Sequence, residues 1–127
     1  MKRDMDLVRE LLLAIENDPK YDGTIKWMPD GPEDLGITGH SFEEFAYHLT
    51  MMIDAGLIEG KAGMQMPIFS KLTWDGHDFL DTIRDPVIWM QTKEGVKKAG
   101  GFSLDLLKAL AKGFLTKKIE EHTGIQL

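Results

Sequence analysis

The sequence predicts an α+β fold: a helix, a short strand pair, a central helix, a β-hairpin wing and a further helix, followed by two additional C-terminal helices. Three observations carry this. Residues 41–55, SFEEFAYHLTMMIDA, space their apolar side chains at helical intervals and open on Ser41 with Glu44 three residues on, a capping box. Leu57-Ile58-Glu59, a glycine-rich loop over 60–67 and the alternating run Ile68 to Leu72 then read as two strands of a hairpin. Thr73 follows at once as the cap of a new helix.

The first helix is expected over Met5 to Asn17, capped by Asp4 or Asp6. Val8, Leu11, Leu12 and Ile15 form its stripe, which Leu7 and Leu13 widen. Asn17-Asp18-Pro19 ends it, because the residue before a proline is pushed out of the helical region. Thr24 to Met28 alternates, with Ile25 and Trp27 on one side, as a half-buried strand does. Pro29-Asp30-Gly31-Pro32 is turn chemistry, and Leu35-Gly36-Ile37 is read as the returning strand. The rival is a single helical turn over Pro32 to Leu35; Gly36 and Gly39 weigh against it, since glycine disfavours helix.

In the central helix the expected buried stripe is Phe42, Phe45, Ala46, Leu49, Met52 and Ile53, with Ala55-Gly56 as its stop. In the helix after Thr73, Trp74, Phe79, Leu80 and Ile83 are expected inside, and Gly76 lets the wing backbone come close. Asp85-Pro86 starts another helix, carrying Ile88, Trp89, Thr92 and Val96 to a break at residues 99–101. Ser103 caps the last helix, which runs to about His122 and stops at Gly124.

At 127 residues the chain is read as one domain with a modest core. The net charge of −6 is uneven. Residues 1–91 carry 8 Lys/Arg against 17 Asp/Glu, an acidic core, whereas the C-terminal helical extension 92–127 carries 7 against 4. An acidic body with a basic tail suits self-association or a tail that meets an anionic partner. There is no cysteine, so disulfides and thiolate metal sites are excluded. No apolar run approaches the ~20 residues of a membrane span, and Asp4, Asp6, Arg9 and Glu10 interrupt any signal-peptide core. The expected compartment is the cytoplasm, with no membrane partner.

Three stretches, RDMDLVRELLLAIE, AYHLTMMIDAGLIEG and LTWDGHDFLDTIRDPVIW, together resemble an uncharacterised bacterial and phage family of winged-helix-like proteins, domain of unknown function family 2513. The resemblance covers nearly the whole chain. More broadly, the spacing from Gly56-Leu57-Ile58 to Leu72-Thr73 to Gly76 is similar to winged-helix transcription regulators, in which the helix before the wing is the recognition helix. The resemblance implies a winged-helix-like core and supplies no catalytic residue.

A helix that reads DNA needs cations near the phosphates. The outward face of helix 41–55 is Glu43, Tyr47, Thr50, Met51 and Asp54, without lysine or arginine, and the wing adds only Lys61 and Lys71, with Gln65 between them. Tyr47, Thr50, Met51, Lys61, Gln65 and Lys71 are therefore candidate contacts for an unknown protein partner, with exposed Met64 and Met66 as adaptable neighbours. The alternative is a DNA-binding transcriptional regulator that uses helix 41–55 and wing 57–73 on duplex DNA. The last helix is apolar around much of its circumference, and Leu106, Leu110, Phe114 and Leu115 are candidates for packing against a second copy. Its lysines 108, 112, 117 and 118 read as a solvated face.

The sequence predicts no enzyme, cofactor or metal. His40, His48, His77 and His122 make no i, i+4 ligand pair. Asp75, His77, Asp78 and Asp81 form a denser cluster, expected to serve the helix dipole and a surface hydrogen bond from His77 to Asp81. Neither a nucleophile elbow nor a phosphate-binding glycine loop is present.

Overall fold

The computed structural model describes residues 1–100 and 103–127; Gly101, at the expected break, lies outside them. The fold is α+β, with helices α1 (Met5–Asn17), α2 (Phe42–Asp54), α3 (Trp74–Ile83), α4 (Pro86–Lys98) and α5 (Leu104–Thr123) and one antiparallel hairpin, β1 (Ile58–Lys61) and β2 (Ile68–Leu72). The chain divides into two compact units, Met1–Leu80 and Asp81–Leu127. That division falls in the last turn of α3, whereas the change of charge at 91/92 falls inside α4.

In the first unit, α1 packs on α2 and β2 through Leu7, Val8, Leu11, Leu12 and Ile15, all buried. Asp4 caps α1 by accepting from the Leu7 amide at 3.2 Å. The α2 capping box is complete: the Ser41 hydroxyl accepts from the Glu44 amide at 3.1 Å and the Glu44 carboxylate from the Ser41 amide at 3.2 Å. At the far end the Gly56 and Leu57 amides close back onto the Ile53 and Met52 carbonyls, which ends the helix in a Schellman turn.

The predicted strand pair before α2 does not form. Pro32–Leu35 is a single 3-10 turn, the rival reading. Gly36, at φ 68°, does not weaken a helix here; it terminates one, since its left-handed backbone lets the Ile37 amide reach the Pro32 carbonyl at 3.0 Å. Thr24 to Met28 forms only one bridge, in which Trp27 exchanges both backbone hydrogen bonds with Phe69 of β2. The reason lies at Asp22, whose carboxylate accepts from both the amide and the hydroxyl of Thr24 and bends the chain before a strand can extend. Ile25 and Trp27 are accordingly exposed, 57% and 41%.

The buried face of α2 differs from the predicted one. Phe45, Ala46, His48, Leu49 and Met52 are inside, while Phe42 in the first turn is exposed and Ile53 in the last is half-buried. The helix is rotated toward His48 because that side chain holds the start of α1, as described below. Trp74 was expected inside and is 82% exposed. Gly76 decides this. A β-carbon on it would lie 2.0 Å from the Leu57 carbonyl oxygen, so that side of α3 rests on the wing backbone, as predicted. A residue two positions earlier, about 200° around the helix, points away. Phe79, Leu80 and Ile83 are buried.

Between the strands, Ser70 is an extra, unpaired residue of β2. Its hydroxyl reaches the Glu59 carboxylate at 3.2 Å, and its carbonyl accepts from the Gly23 amide at 3.0 Å. Residues 18–28 are thereby strapped along the outer edge of the wing. Under the strap, Tyr21 stacks on Phe69 with ring centroids 4.6 Å apart, and its buried hydroxyl has no hydrogen-bond partner.

Burial, and then Asp18 and Asp34, push the Tyr21 phenol up to about 12. A raised phenol favours the neutral form in the folded chain. The associated stability is therefore complete below the unfolded value near 10 and is lost as pH rises through about 12. Tyr21→Phe is expected to leave neutral-pH stability unchanged or slightly higher, because an unpartnered hydroxyl is removed. It should also remove the Tyr21 share of the tyrosinate absorbance change in alkali, leaving that of Tyr47, the second of the two tyrosines. A clear loss of melting temperature at neutral pH would show that the hydroxyl is satisfied in solution.

The second unit is a helical hairpin. Asp85 accepts from the Val87 and Ile88 amides at the start of α4, and its other oxygen accepts from the Lys118 ammonium of α5. Leu110 of α5 seats on Gly95 of α4, where a β-carbon would fall 2.4 Å from its Cδ2. Ser103 caps α5 through the Leu106 amide, and Gly124 ends it. Ile88, Trp89, Thr92, Leu107 and Ala111 are buried.

Candidate functional site

Tyr47, Thr50 and Met51 stand together on the outward side of α2, as the spacing predicts. Tyr47 is 39% exposed and lies edge-on to His48, with ring centroids 5.8 Å apart. Thr50 is half-buried, and its hydroxyl donates to the Ala46 carbonyl at 2.9 Å, so its proton is spent within the helix. Met51 is half-buried, with exposed Asp54 beyond it and Glu43 toward the N-terminus. Glu44 is held below the usual carboxylate range by the Ser41 amide and by His40, whose Nδ1 lies 3.3 Å away. The face is acidic at both ends.

The wing residues are less uniform. Lys61 and Gln65 are exposed, and Met64 at the loop is fully so. Met66, expected to be exposed beside it, is buried; its carbonyl oxygen would lie 2.1 Å from a β-carbon on Gly63, which shows how tightly the loop folds back on itself. Lys71 lies 4.0 Å from Glu59, and its stem crosses Gly23 of the strap. The strap thus adds to the wing a set of residues that sequence reading kept apart from it: Lys20, Lys26, Trp27 and Met28. The Lys20 ammonium sits 5.3 Å from the Tyr21 ring centre and 5.8 Å from that of Trp27, and Met28 Cε approaches Gly63 in the wing loop. Alternation over 24–28 was the visible signal; its partner, β2, lies some 40 residues on.

His48 is the other residue whose setting was missed. It is 1% exposed, and both ring nitrogens are engaged: Nε2 with the Asp4 amide at 2.8 Å, and Nδ1 with the Glu44 carbonyl at 2.7 Å. An amide can only donate and a carbonyl only accept. The ring is therefore the neutral tautomer with its proton on Nδ1.

His77 faces Glu16 at 3.7 Å, and Asp81 pairs with Arg84 at 2.8 Å, so the expected His77–Asp81 bond is replaced by these two contacts. Among the described residues no three His, Asp or Glu side chains gather as a metal site would require. No helix among them is long and apolar enough to cross a membrane.

Of the candidate self-association residues, Leu106 is 59% exposed, while Leu110, Phe114 and Leu115 are half-buried. Phe114 lines a groove with Val87 and Ile88 of α4.

A protein of Haemophilus influenzae, described only as uncharacterized, is 34% identical over 124 residues, 94% of this chain and 99% of its own. No solved structure matches. A family model described as "Hypothetical protein (DUF2513)" matches residues 2–103. With four-fifths of its length matched, the chain belongs to that family.

Proposed function

We propose that this is a non-enzymatic interaction and assembly module of the cytoplasm that self-associates through its C-terminal helical hairpin. One observation carries the reading. The second unit leaves Val87, Met90, Leu106, Ile119, Ile125 and Leu127 exposed, between 38% and 72%. The apolar residues of α5, from Leu106 round to Ile119, span an arc of about 220° at 100° per residue. Two helices bury one face each against the other, so an arc that wide overhangs its partner on both sides. A second copy of the hairpin covers such flanks by forming four helices from two.

Light scattering during size exclusion at tens of micromolar is expected to give a dimer, and Leu106→Glu a monomer with unchanged circular dichroism. A monomeric wild-type chain at that concentration ends the reading.

Duplex DNA binding has narrower support. It rests on Lys61 and Lys71 of the wing with Lys20 and Lys26 of the strap, all four exposed, while α2 offers acids where phosphates would lie. Binding to random duplex should accordingly be weak. A steep loss of affinity with rising salt, diminished by Lys61→Glu, would instead favour the DNA reading.

A further inference from the structure

The hairpin of α4 and α5 has two flanks that differ in kind. On α5, Leu107 and Ala111 are buried where the two helices pack, and the other side chains fall on either side of that contact. Leu106, Leu110, Phe114, Lys117 and Glu121 share a band about 80° wide at 100° per residue. Lys108, Lys112 and Ile119 lie across the contact from them, and so does Leu115, about 100° from Phe114. α4 divides in the same way about buried Ile88, Trp89 and Thr92, with Val87 and Gln91 on one side and Lys93 and Lys97 on the other. Val87, Gln91, Phe114, Lys117 and Glu121 all line one groove of about 350 Å³, so their side is common to both helices. The four lysines share the opposite flank.

That flank is closed to a like copy. A two-fold contact joins each patch to itself, so Lys93, Lys97, Lys108 and Lys112 would face the same four lysines, with Glu94 and Asp105 at the outer edge to offset them. The groove flank is apolar along its middle: Leu106 is 59% exposed and Val87 64%, with half-buried Leu110 and Phe114 between. Its charges stand at the ends, Lys98 at the close of α4 and Lys117, Glu121 and His122 beyond Phe114, while Lys118 is held by Asp85. This flank is also self-complementary. Leu110 seats on Gly95, and Leu106 and Phe114 stand four residues, about 6 Å, to either side of it. A two-fold axis through Leu110 exchanges those two positions, which sets an exposed leucine over an open groove twice.

We propose that the occupant of this groove is Leu106 of a second copy, the two chains meeting on a two-fold axis at Leu110 with their lysine flanks turned outward. Each Leu106 enters between Val87, Gln91 and Phe114 of the other chain, and Leu115 takes no part. This rests on the self-association reading and deepens it. It names one flank and one register of the hairpin, and these can fail while the dimer stands.

The chain has no cysteine, so engineered ones report the contact directly. Full-length Leu106→Cys and Gln91→Cys chains, mixed in equal amounts under reducing conditions and then oxidised, are expected to give the mixed disulfide dimer as the main product. A disulfide needs Cα atoms no more than about 7 Å apart, so that product marks a true contact. Lys112→Cys, on the opposite flank, should remain without a cross-link. Ile119→Glu, on that same flank, should stay dimeric in light scattering with circular dichroism unchanged. Three results would overturn the proposal while leaving a dimer: homodimers of either single variant as the main product, efficient cross-linking of Lys112→Cys, or a monomeric Ile119→Glu. A monomeric wild-type chain at tens of micromolar would instead end the self-association reading, and this proposal with it.

Discussion

Gly76→Ala is expected to cost about 3 kcal/mol or more, at the upper end of overpacking effects, and to loosen the wing from α3. The sign is informative because helix propensity alone favours alanine over glycine by about 1 kcal/mol. Here the added carbon would sit 2.0 Å from the Leu57 carbonyl oxygen and 3.0 Å from its carbon, both backbone atoms that cannot swing aside. The same carbonyl accepts the Thr73 amide at 3.0 Å, and the Thr73 hydroxyl joins the Gly56 carbonyl while capping the Gly76 amide at 3.0 Å. Moving α3 outward breaks this joint as a whole. Urea denaturation should show a lower midpoint, with hydrogen exchange accelerated in β1 and β2. Trp74→Ala in the same turn, at an exposed position, should change stability by no more than about 0.5 kcal/mol. Equal stability of Gly76→Ala and the parent would refute the close contact.

His48→Phe is the second large effect, expected to cost about 2–3 kcal/mol through loss of a buried hydrogen-bond acceptor. Phenylalanine fills most of the volume but leaves the Asp4 amide without its acceptor at 2.8 Å. That amide belongs to the residue that caps α1, so the loss is felt at the helix start. The Glu44 carbonyl suffers less, because it still has its place in the helical ladder. His48→Gln can return an acceptor to Asp4 and should recover part of the loss. The checks are denaturation midpoints for both variants and exchange of the Asp4 amide, which should be fast only in His48→Phe. A nitrogen-15 spectrum of the parent should show one histidine as the neutral Nδ1–H tautomer. Retention of full stability in His48→Phe would mean that packing alone places the ring.

Two polar ties respond to acid in the same direction. Glu44 is held low by the Ser41 amide and then His40, and Asp85 by Lys118 and then the Val87 and Ile88 amides. A depressed carboxylate contributes stability that is complete above its ordinary range and fades as pH falls below it. The start of α2 and the clamp between α4 and α5 should therefore loosen together in acid.

The helix ends were legible in the sequence because each is settled within about four residues. Asp4, Ser41 with Glu44, Thr73, Asp85-Pro86 and Ser103 open helices where predicted, and Asn17, Gly56 and Gly124 close them. A cap needs only its own turn of backbone. The hairpin was legible for a related reason, since its two strands are joined by a short loop and one of them alternates.

What faces inward was decided elsewhere. Phe42 and Trp74 carry the side chains most expected in a core, yet each sits in the first turn of its helix and remains exposed. The polar His48 is buried in their stead because a backbone amide 44 residues earlier needs an acceptor. The 3-10 turn at Pro32–Leu35 arose from glycines that favour a stop as readily as a strand. The strap joins the wing because Trp27 pairs with Phe69 of β2 and because Ser70, bulging from that strand, leaves its carbonyl for Gly23. Local hydrogen bonding is written in neighbouring residues, and so the sequence by itself determined where each helix begins and ends. Only the tertiary structure determined which face is covered and which edge stays open, because those choices depend on partners far along the chain.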